Sequence, residues 1–211
     1  MKRRNLYLLI VILVLFLVMV RFVSEIGREE PGRLTVIRVI DGDTMVLNGD
    51  EQVRLLGIDT PEKGEPFADS ATVFLAHLVV NREVTLKHDF RKRDNYGRLL
   101  AYVYVDDTLL VNAALVAEGL ARVYLFPDDI INRPLIDGLI AAQRRALAAN
   151  RGVWSVPVRA EERYIANRRT MRFHRPDCRS VGKTAARNQV VFDTREAALY
   201  EGYSPCRNCQ P

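Results

Sequence analysis

Two sets of residues in this chain have the types and spacing to do chemistry. The first combines carboxylates with arginines. Asp41 and Asp43 flank a glycine in "VIDGDT", and Asp59 and Glu62 flank Thr60-Pro61 in "VRLLGIDTPE". Gathered on one rim, three or four carboxylates repel one another unless a cation neutralises them. Oxygen-only donors select a hard ion, Ca2+ or Mg2+. Arg54 lies inside the run that ends in Asp59, and Arg98 follows a turn in "DNYGRLLAY". A guanidinium grips phosphate bidentately and keeps its charge near neutral pH. Two arginines beside a divalent cation would stabilise the charge that builds on the phosphorus oxygens in a phosphodiester displacement. Glu62 could then take the proton of an attacking water. Taken singly, each piece also reads as ordinary structure: Asp41-Gly42-Asp43 as a turn, Thr60-Pro61-Glu62 as a helix start, each arginine as half of an ion pair. In a straight strand Arg54 and Asp59 would stand about 16 Å apart. Gly57 between them permits the bend or bulge that would draw them together.

The second set is His174-x3-Cys178 followed by Cys206-x2-Cys209. Four N and S donors in two close pairs suit tetrahedral Zn2+ in a closed, structural site. A fold of about 40 residues has little core and needs such a staple. The alternative is a Cys206–Cys209 disulfide with Cys178 free; the odd cysteine count and nearby His174 favour zinc.

The elements that must position these groups follow from the pattern. "LTVIRVI", "TMVLN" and "QVRLLGI" read as three strands joined by the short turns "DGD" and "GDE". "PFADSATVFLAHLVV" has helical spacing at Phe67, Ala71, Phe74, Leu75 and Leu78. "EVTLKHD" and "LLAYVYVD" read as two more strands, and "LVNAALVAEGL" and "RPLIDGLIAAQRRALAAN" as two more helices. Five strands with a helix after the third predict an α+β domain built on a small closed β-barrel of the oligonucleotide-binding (OB-fold) type, with three helices. Periodicity alone leaves a sandwich or an open sheet available. Trp154 is read as packing against the barrel.

The chain has 211 residues, enough for one medium domain and a small one. Its formal charge of +5 is unevenly spread: net −4 over residues 22–155 and net +5 over residues 156–211. A basic end favours a polyanionic partner. The opening "MKRRNLYLLIVILVLFLVMVRFV" is three cations followed by an apolar run without a polar face. As a helix, Leu6 to Val23 spans roughly 27 Å, enough for a thin bilayer. The positive flank predicts a cytoplasmic N-terminus and an extracytoplasmic remainder. No small-x-small site follows the run, which favours an uncleaved transmembrane anchor over a signal peptide whose removal would release a secreted protein. The expected division is an anchor at 1–23, a linker at 24–32, a catalytic domain at 33–155, a linker at 156–167 and a zinc-binding module at 168–211.

"VIDGDT", "VRLLGIDTPE", "DNYGRLLAYVYVD", "LVNAALVAEGLARV" and "GVWS" follow one another in the order and spacing of the staphylococcal nuclease (thermonuclease) family, which residues 33–155 resemble. The resemblance implies the OB-fold barrel and Ca2+-dependent hydrolysis of DNA and RNA to 3′-phosphate products. It implies that Asp43 and Asp59 ligate Ca2+ with help from the Thr60 carbonyl, and that Asp41 supports them from behind. It implies Glu62 as general base, Arg54 and Arg98 on the phosphate and its transition state, and Tyr96 against a nucleotide. Tyr124 is a looser match to a second nucleotide-contacting tyrosine. Two departures bear on affinity. "KGEPFADSA" is shorter than the family's lysine-rich loop, and Asn95 stands where a basic residue is common. Arg91, Lys92 and Arg93 are candidates to compensate by attracting phosphate. Residues 170–211 resemble the small zinc-binding module related to the N-terminal domain of the Ada DNA-repair protein, with one cysteine ligand replaced by His174. That replacement puts methyl-acceptor chemistry in doubt, so only zinc and nucleic-acid binding carry over. Arg168, Arg169, Arg172, Arg175 and Arg179 are candidates for phosphate contact. The alternative function is a non-cleaving nucleic-acid-binding module tethered at the cell envelope.

Overall fold

Asp41 and Thr44 face each other across the two-residue turn Gly42-Asp43, which joins Val36–Asp41 (β1) to Thr44–Leu47 (β2) as an antiparallel hairpin. A side chain at Gly42 would meet Ala71 and Thr60 at 2.7 Å, so the close approach of this turn to its neighbours requires glycine. In the computed structural model the described residues are residue 19, residues 34–126 and residues 132–211. The segment read as an anchor, apart from Met19, and the linker at 24–32 lie outside them. Among the described residues no helix is long and apolar enough to cross a membrane.

Gln52–Leu55 (β3) pairs with β2, setting Thr44 opposite Arg54. The chain then bends at Gly57, whose φ of +78° belongs to the left-handed region, and re-enters a short strand at Ile58–Asp59 (β4). Helix α1 (Ala68–Val79) packs its buried stripe of Ala68, Ala71, Leu75 and Val79 on the sheet. Val84–Lys87 (β5) pairs antiparallel with Leu99–Val105 (β6), which lies parallel to β3 and places Leu100 beside Arg54. The short strand Leu109–Leu110 (β7) adds to β6, and Val111–Ala117 (α2) follows. Arg122–Val123 (β8) pairs with β4, so that Asp59 faces Arg122. Arg133–Ala148 (α3), capped by the Asn132 side chain and with Pro134 in its first turn, leads to a 3-10 turn at Gly152–Ser155.

The α+β class, the first five strands in their order, and the three helices are as expected. The closed barrel is not. The strand ladders run β1-β2-β3-β6-β5 with β7 beside β6, and β1 meets the β5 end only through the isolated bridges Thr35–Glu83 and Val36–Val80. The third strand also breaks into β3 and β4. One core of Val36, Met45, Leu47, Val53, Leu55, Leu75, Tyr102, Leu115 and Leu139 fills the space between sheet and helices.

Residues 164–167, at the end of the stretch read as a linker, form a strand (β9, Tyr164–Asn167) at the centre of a second sheet. It pairs with Arg172–His174 (β10) on one side and Gln189–Phe192 (β11) on the other. The one-turn helix Arg179–Gly182 (α4) lies between β10 and β11 in the chain, and Arg195–Tyr200 (α5) follows β11. Ser204–Pro205 (β12) adds in parallel to β10. A second core holds Tyr164, Phe173, Leu199 and Tyr203. Trp154 lies in this second core rather than in that of the first sheet, beside Ala146 of α3.

Residues 34–211 form one compact unit. Buried polar bonds tie the β4–β8 ladder and α3 to the second sheet and its helix α5. Gln143 on α3 accepts from the Val123 N–H at 2.8 Å and donates to the Leu199 carbonyl at 3.0 Å. Ser204 donates to the Val123 carbonyl at 2.7 Å. Each satisfies a group that would be expensive to bury alone.

Candidate active site and metal centre

The bend at Gly57 solves the distance problem posed by the sequence. Arg54 reaches along the bent segment and donates to the carbonyls of Leu55 and Ile58 at 2.8 and 3.0 Å. Its Nη2 then lies 3.0 Å from both Asp43 Oδ2 and Asp59 Oδ1. Thr60 donates to Asp43 Oδ2 through both its N–H and its hydroxyl at 3.1 Å. Asp41 accepts from the Asp43 N–H at 3.1 Å, fixing the turn. Thus the turn after β1 and the end of β4 meet, and their carboxylates converge on one guanidinium nitrogen.

Register brings in the second arginine. Because β3 and β6 are parallel, with Val53 opposite Leu99, the residue entering β6 stands beside the same rim. That residue is Arg98. It donates through Nε to Asp94 at 2.8 Å and through Nη1 to Thr44 Oγ1 at 3.3 Å. Thr44 in turn donates to Asp43, so one hydroxyl links both halves of the rim. Asp94 also accepts from the Tyr96 and Arg98 N–H groups, which shapes the turn that presents Tyr96 at 87% exposure. The Arg98 guanidinium lies 5.6 Å from the Tyr96 ring centre.

All the residues predicted for the first site line one cleft of about 520 Å3: Asp41, Asp43, Arg54, Asp59, Thr60, Glu62, Tyr96, Arg98 and Tyr124. The Glu62 side chain is 68% exposed to solvent. Asp43 is the most buried, and burial is the main force that pushes its carboxyl up from 3.8 to about 6. The Arg54 charge opposes that rise, and the charges of Asp41 and Asp59 add to it. Asp43 and Asp59 are hard oxygen donors brought together from separate segments of the chain. That chemistry fits a hard divalent cation with water completing its shell.

The lysine- and arginine-bearing loop is less available than expected. Arg93 is held by Glu51 at 2.7 and 3.0 Å. Among the arginines of the second sheet, Arg172 turns inward. It donates to the carbonyls of Leu125, Thr170 and Met171, and its guanidinium lies 3.3 Å from the Tyr124 ring centre. It is a clamp for Tyr124 rather than a phosphate contact. Arg175 pairs with Glu161 at 3.5 Å and donates to the Gln210 carbonyl.

His174, Cys178, Cys206 and Cys209 bring one ligand atom each to within 4.8 Å of one another. His174 ends β10, Cys178 precedes α4, and Cys206 follows β12, so the parallel β10–β12 pair sets their spacing. All three cysteines are free thiols, so the alternative disulfide is not formed. Three sulfurs and one imidazole, two of them buried, are a donor set for a soft, tetrahedral ion such as Zn2+.

One residue of the site escaped the sequence reading. Arg207, between the two cysteines of the Cys206-x2-Cys209 turn, donates to Asp59 Oδ1 at 2.6 Å and pairs with Glu62 Oε1 at 3.2 Å. A lone arginine in such a turn carries no signal of its own; only the docking of the second sheet on β8 places it. Thr44 and Asp94, which both bond the Arg98 side chain, were likewise missed.

These features agree with the comparisons with known proteins. Residues 52–156 match the family described as staphylococcal nuclease homologue, and residues 158–211 match the metal binding domain of Ada. A thermonuclease of Staphylococcus intermedius is 38% identical over 128 residues, 56% of this chain and 74% of that protein. A thermonuclease of Staphylococcus hyicus is 31% identical over 172 residues, 74% of this chain and 99% of that protein. Endonuclease YncB of Bacillus subtilis is 36% identical over 146 residues, 64% of this chain and 65% of that protein. The chain belongs to the staphylococcal nuclease homologues and is a nuclease of that family.

Proposed function

We propose that this nuclease hydrolyses phosphodiester bonds of DNA and RNA with the help of Ca2+, leaving 3′-phosphate ends. One observation carries the reading: Arg54 Nη2 sits 3.0 Å from both Asp43 and Asp59, in a cleft that also holds Arg98 and Glu62. Asp43, Asp59 and the Thr60 carbonyl would hold the cation, with Asp41 bracing the Asp43 turn. A bound Ca2+ supplies charge neutralisation at the phosphate and an ordered water. Glu62 accepts a proton from the attacking water as its oxygen bonds to phosphorus. The P–O5′ bond breaks, and the 5′ oxygen leaves with a proton from solvent. Arg54 and Arg98 stabilise the charge that grows on the phosphoryl oxygens, as fixed donors that need no reorganisation. Tyr96 and Tyr124 offer rings for base or sugar contact on either side.

The remaining assignments belong to the same proposal. Zn2+ at His174, Cys178, Cys206 and Cys209 is structural. The first sheet is OB-like, with its outer strands drawn together by isolated contacts, among them the Thr35–Glu83 bridge and the Val84 N–H donating to the Leu34 carbonyl at 2.8 Å. Residues 1–23 anchor the enzyme to the membrane with the nuclease domain outside the cytoplasm. The test is incubation of residues 34–211 with single-stranded DNA and RNA in zinc-containing buffer, with and without Ca2+, followed by analysis of the product ends. Ca2+-dependent products that gain a 3′-hydroxyl on phosphatase treatment support the reading. Cleavage indifferent to Ca2+, or 5′-phosphate ends, would contradict it.

A further inference from the structure

We infer that Arg207 is a substrate-binding arginine which the metal-binding turn supplies to the nuclease cleft. This inference rests on the nuclease reading and extends its binding site into the second sheet. Four observations converge on it.

The first is position. Arg207 contacts Asp59 and Glu62, the carboxylates proposed for the cation and for the attacking water. A phosphate adjoining the one handled by those two groups lies within reach of the same guanidinium. The second is capacity. A guanidinium has five N–H donors, so pairing with both acids leaves donors for a phosphate oxygen. The Arg207 side chain is 56% exposed against 16% for Arg54, which is locked to two backbone carbonyls. Arg54 is a fixed donor of the site, whereas Arg207 leaves more of its guanidinium open to a ligand.

The third is rigidity of the support. Cys206 donates its N–H to the Phe173 carbonyl at 2.9 Å, and Gln210 donates back to Cys206 at 2.9 Å. Ser204, two residues before Cys206, is bonded to Val123 on β8, and β8 pairs with the strand that carries Asp59. The turn is therefore registered to the nuclease rim through three short links. The fourth is the path beyond. A second cleft, of about 710 Å3, shares Asp59, Thr60, Glu62, Tyr124 and Arg207 with the first. Its walls carry Arg122, Arg159, Arg175 and Arg195, and the Nε atoms of Arg122 and Arg175 are buried without a hydrogen-bond partner among the described residues. Arg207 stands where the two clefts meet, so a polyanionic strand running from one to the other crosses it. The ligand is thus the phosphodiester next to the one being cut.

The experiment compares Arg207→Ala and Arg207→Lys in zinc-replete protein. Binding of a labelled single-stranded DNA decamer is measured in a Glu62→Gln background, which holds substrate without cutting it. Cleavage is measured in the otherwise unaltered protein. Loss of one charged contact is expected to weaken binding about tenfold for alanine. It should lower the slope of log affinity against log salt by roughly 1, and lysine should restore the slope but only part of the affinity. A merely structural role would lower the melting temperature without moving the slope. Unchanged affinity and slope would overturn the inference, as would tighter binding or faster cleavage by Arg207→Ala, which would make Arg207 a plug. Wild-type protein that neither binds nor cuts would instead refute the nuclease reading itself.

Discussion

Replacing Asp43 by asparagine should make the cation-free enzyme more stable. Asp43 is buried beside Asp41 and Asp59, and its carboxyl is pushed from 3.8 to about 6 even with Arg54 attached. Moving a carboxyl that far costs its ionised form about 3 kcal/mol in the folded state. The sign follows from linkage. Because the folded value lies above the unfolded one, the stability contributed by Asp43 is full below 3.8 and is lost as pH rises through about 6. At pH 7.5 without Ca2+ the protein carries the whole cost, and roughly half is regained by pH 5. Asparagine removes the charge, keeps an acceptor for Thr60, and forfeits the attraction of Arg54. A gain of roughly 1–3 kcal/mol at pH 7.5 is expected, which for a domain of this size is about 3–10 °C in melting temperature. The assay is thermal unfolding followed by circular dichroism in Ca2+-free, zinc-containing buffer at pH 5 and 7.5, repeated with Ca2+. Ca2+ should raise the melting temperature of the wild type and leave Asp43→Asn nearly unmoved. A variant that melts below the wild type at pH 7.5, or a difference that does not shrink at pH 5, would refute the reasoning.

Other predictions follow from the same contacts. Stripping zinc with a zinc-selective chelator should loosen the second core and shift the emission of Trp154, the chain's single tryptophan, to the red; metal analysis should find about one zinc per chain, lost in Cys209→Ser. Gln143→Leu strands the Val123 N–H and the Leu199 carbonyl in a buried interface and should cost about 2 kcal/mol or more in urea denaturation.

Much of the site was legible because its residues cluster in short motifs. Asp41-Gly42-Asp43 and Asp59-Thr60-Pro61-Glu62 each fix local geometry, and the strand periodicity around them is strong. Gly57 announced the bend that joins Arg54 to Asp59, although a glycine alone does not say how far the chain turns. The parallel pairing of β3 with β6 was not legible, because the register of non-adjacent strands depends on the packed core rather than on local pattern. That register is what sets Arg98 against Thr44. The stretch around Tyr164 read as a linker because "SVPVRAEERY" is polar and proline-bearing; its last residue is a core aromatic that packs edge-on against Phe173. Trp154 was assigned to the wrong core for the same reason, since the second sheet that covers it arrives only after the chain has folded back. Arg207 depends on that docking as well.

If Glu62 and Arg98 perform the chemistry on a cation site built by Asp43 and Asp59, removing either must slow cleavage without releasing the cation. Single-turnover cleavage of single-stranded DNA at saturating Ca2+, compared between wild type, Glu62→Gln and Arg98→Ala, tests it most directly. The expected fall is about 10²–10⁴-fold for Glu62→Gln and at least about 10²-fold for Arg98→Ala. In both variants the Ca2+-induced rise in melting temperature should survive. Cleavage within a few-fold of wild type in either variant, with Ca2+ bound, would contradict the roles assigned to the rim.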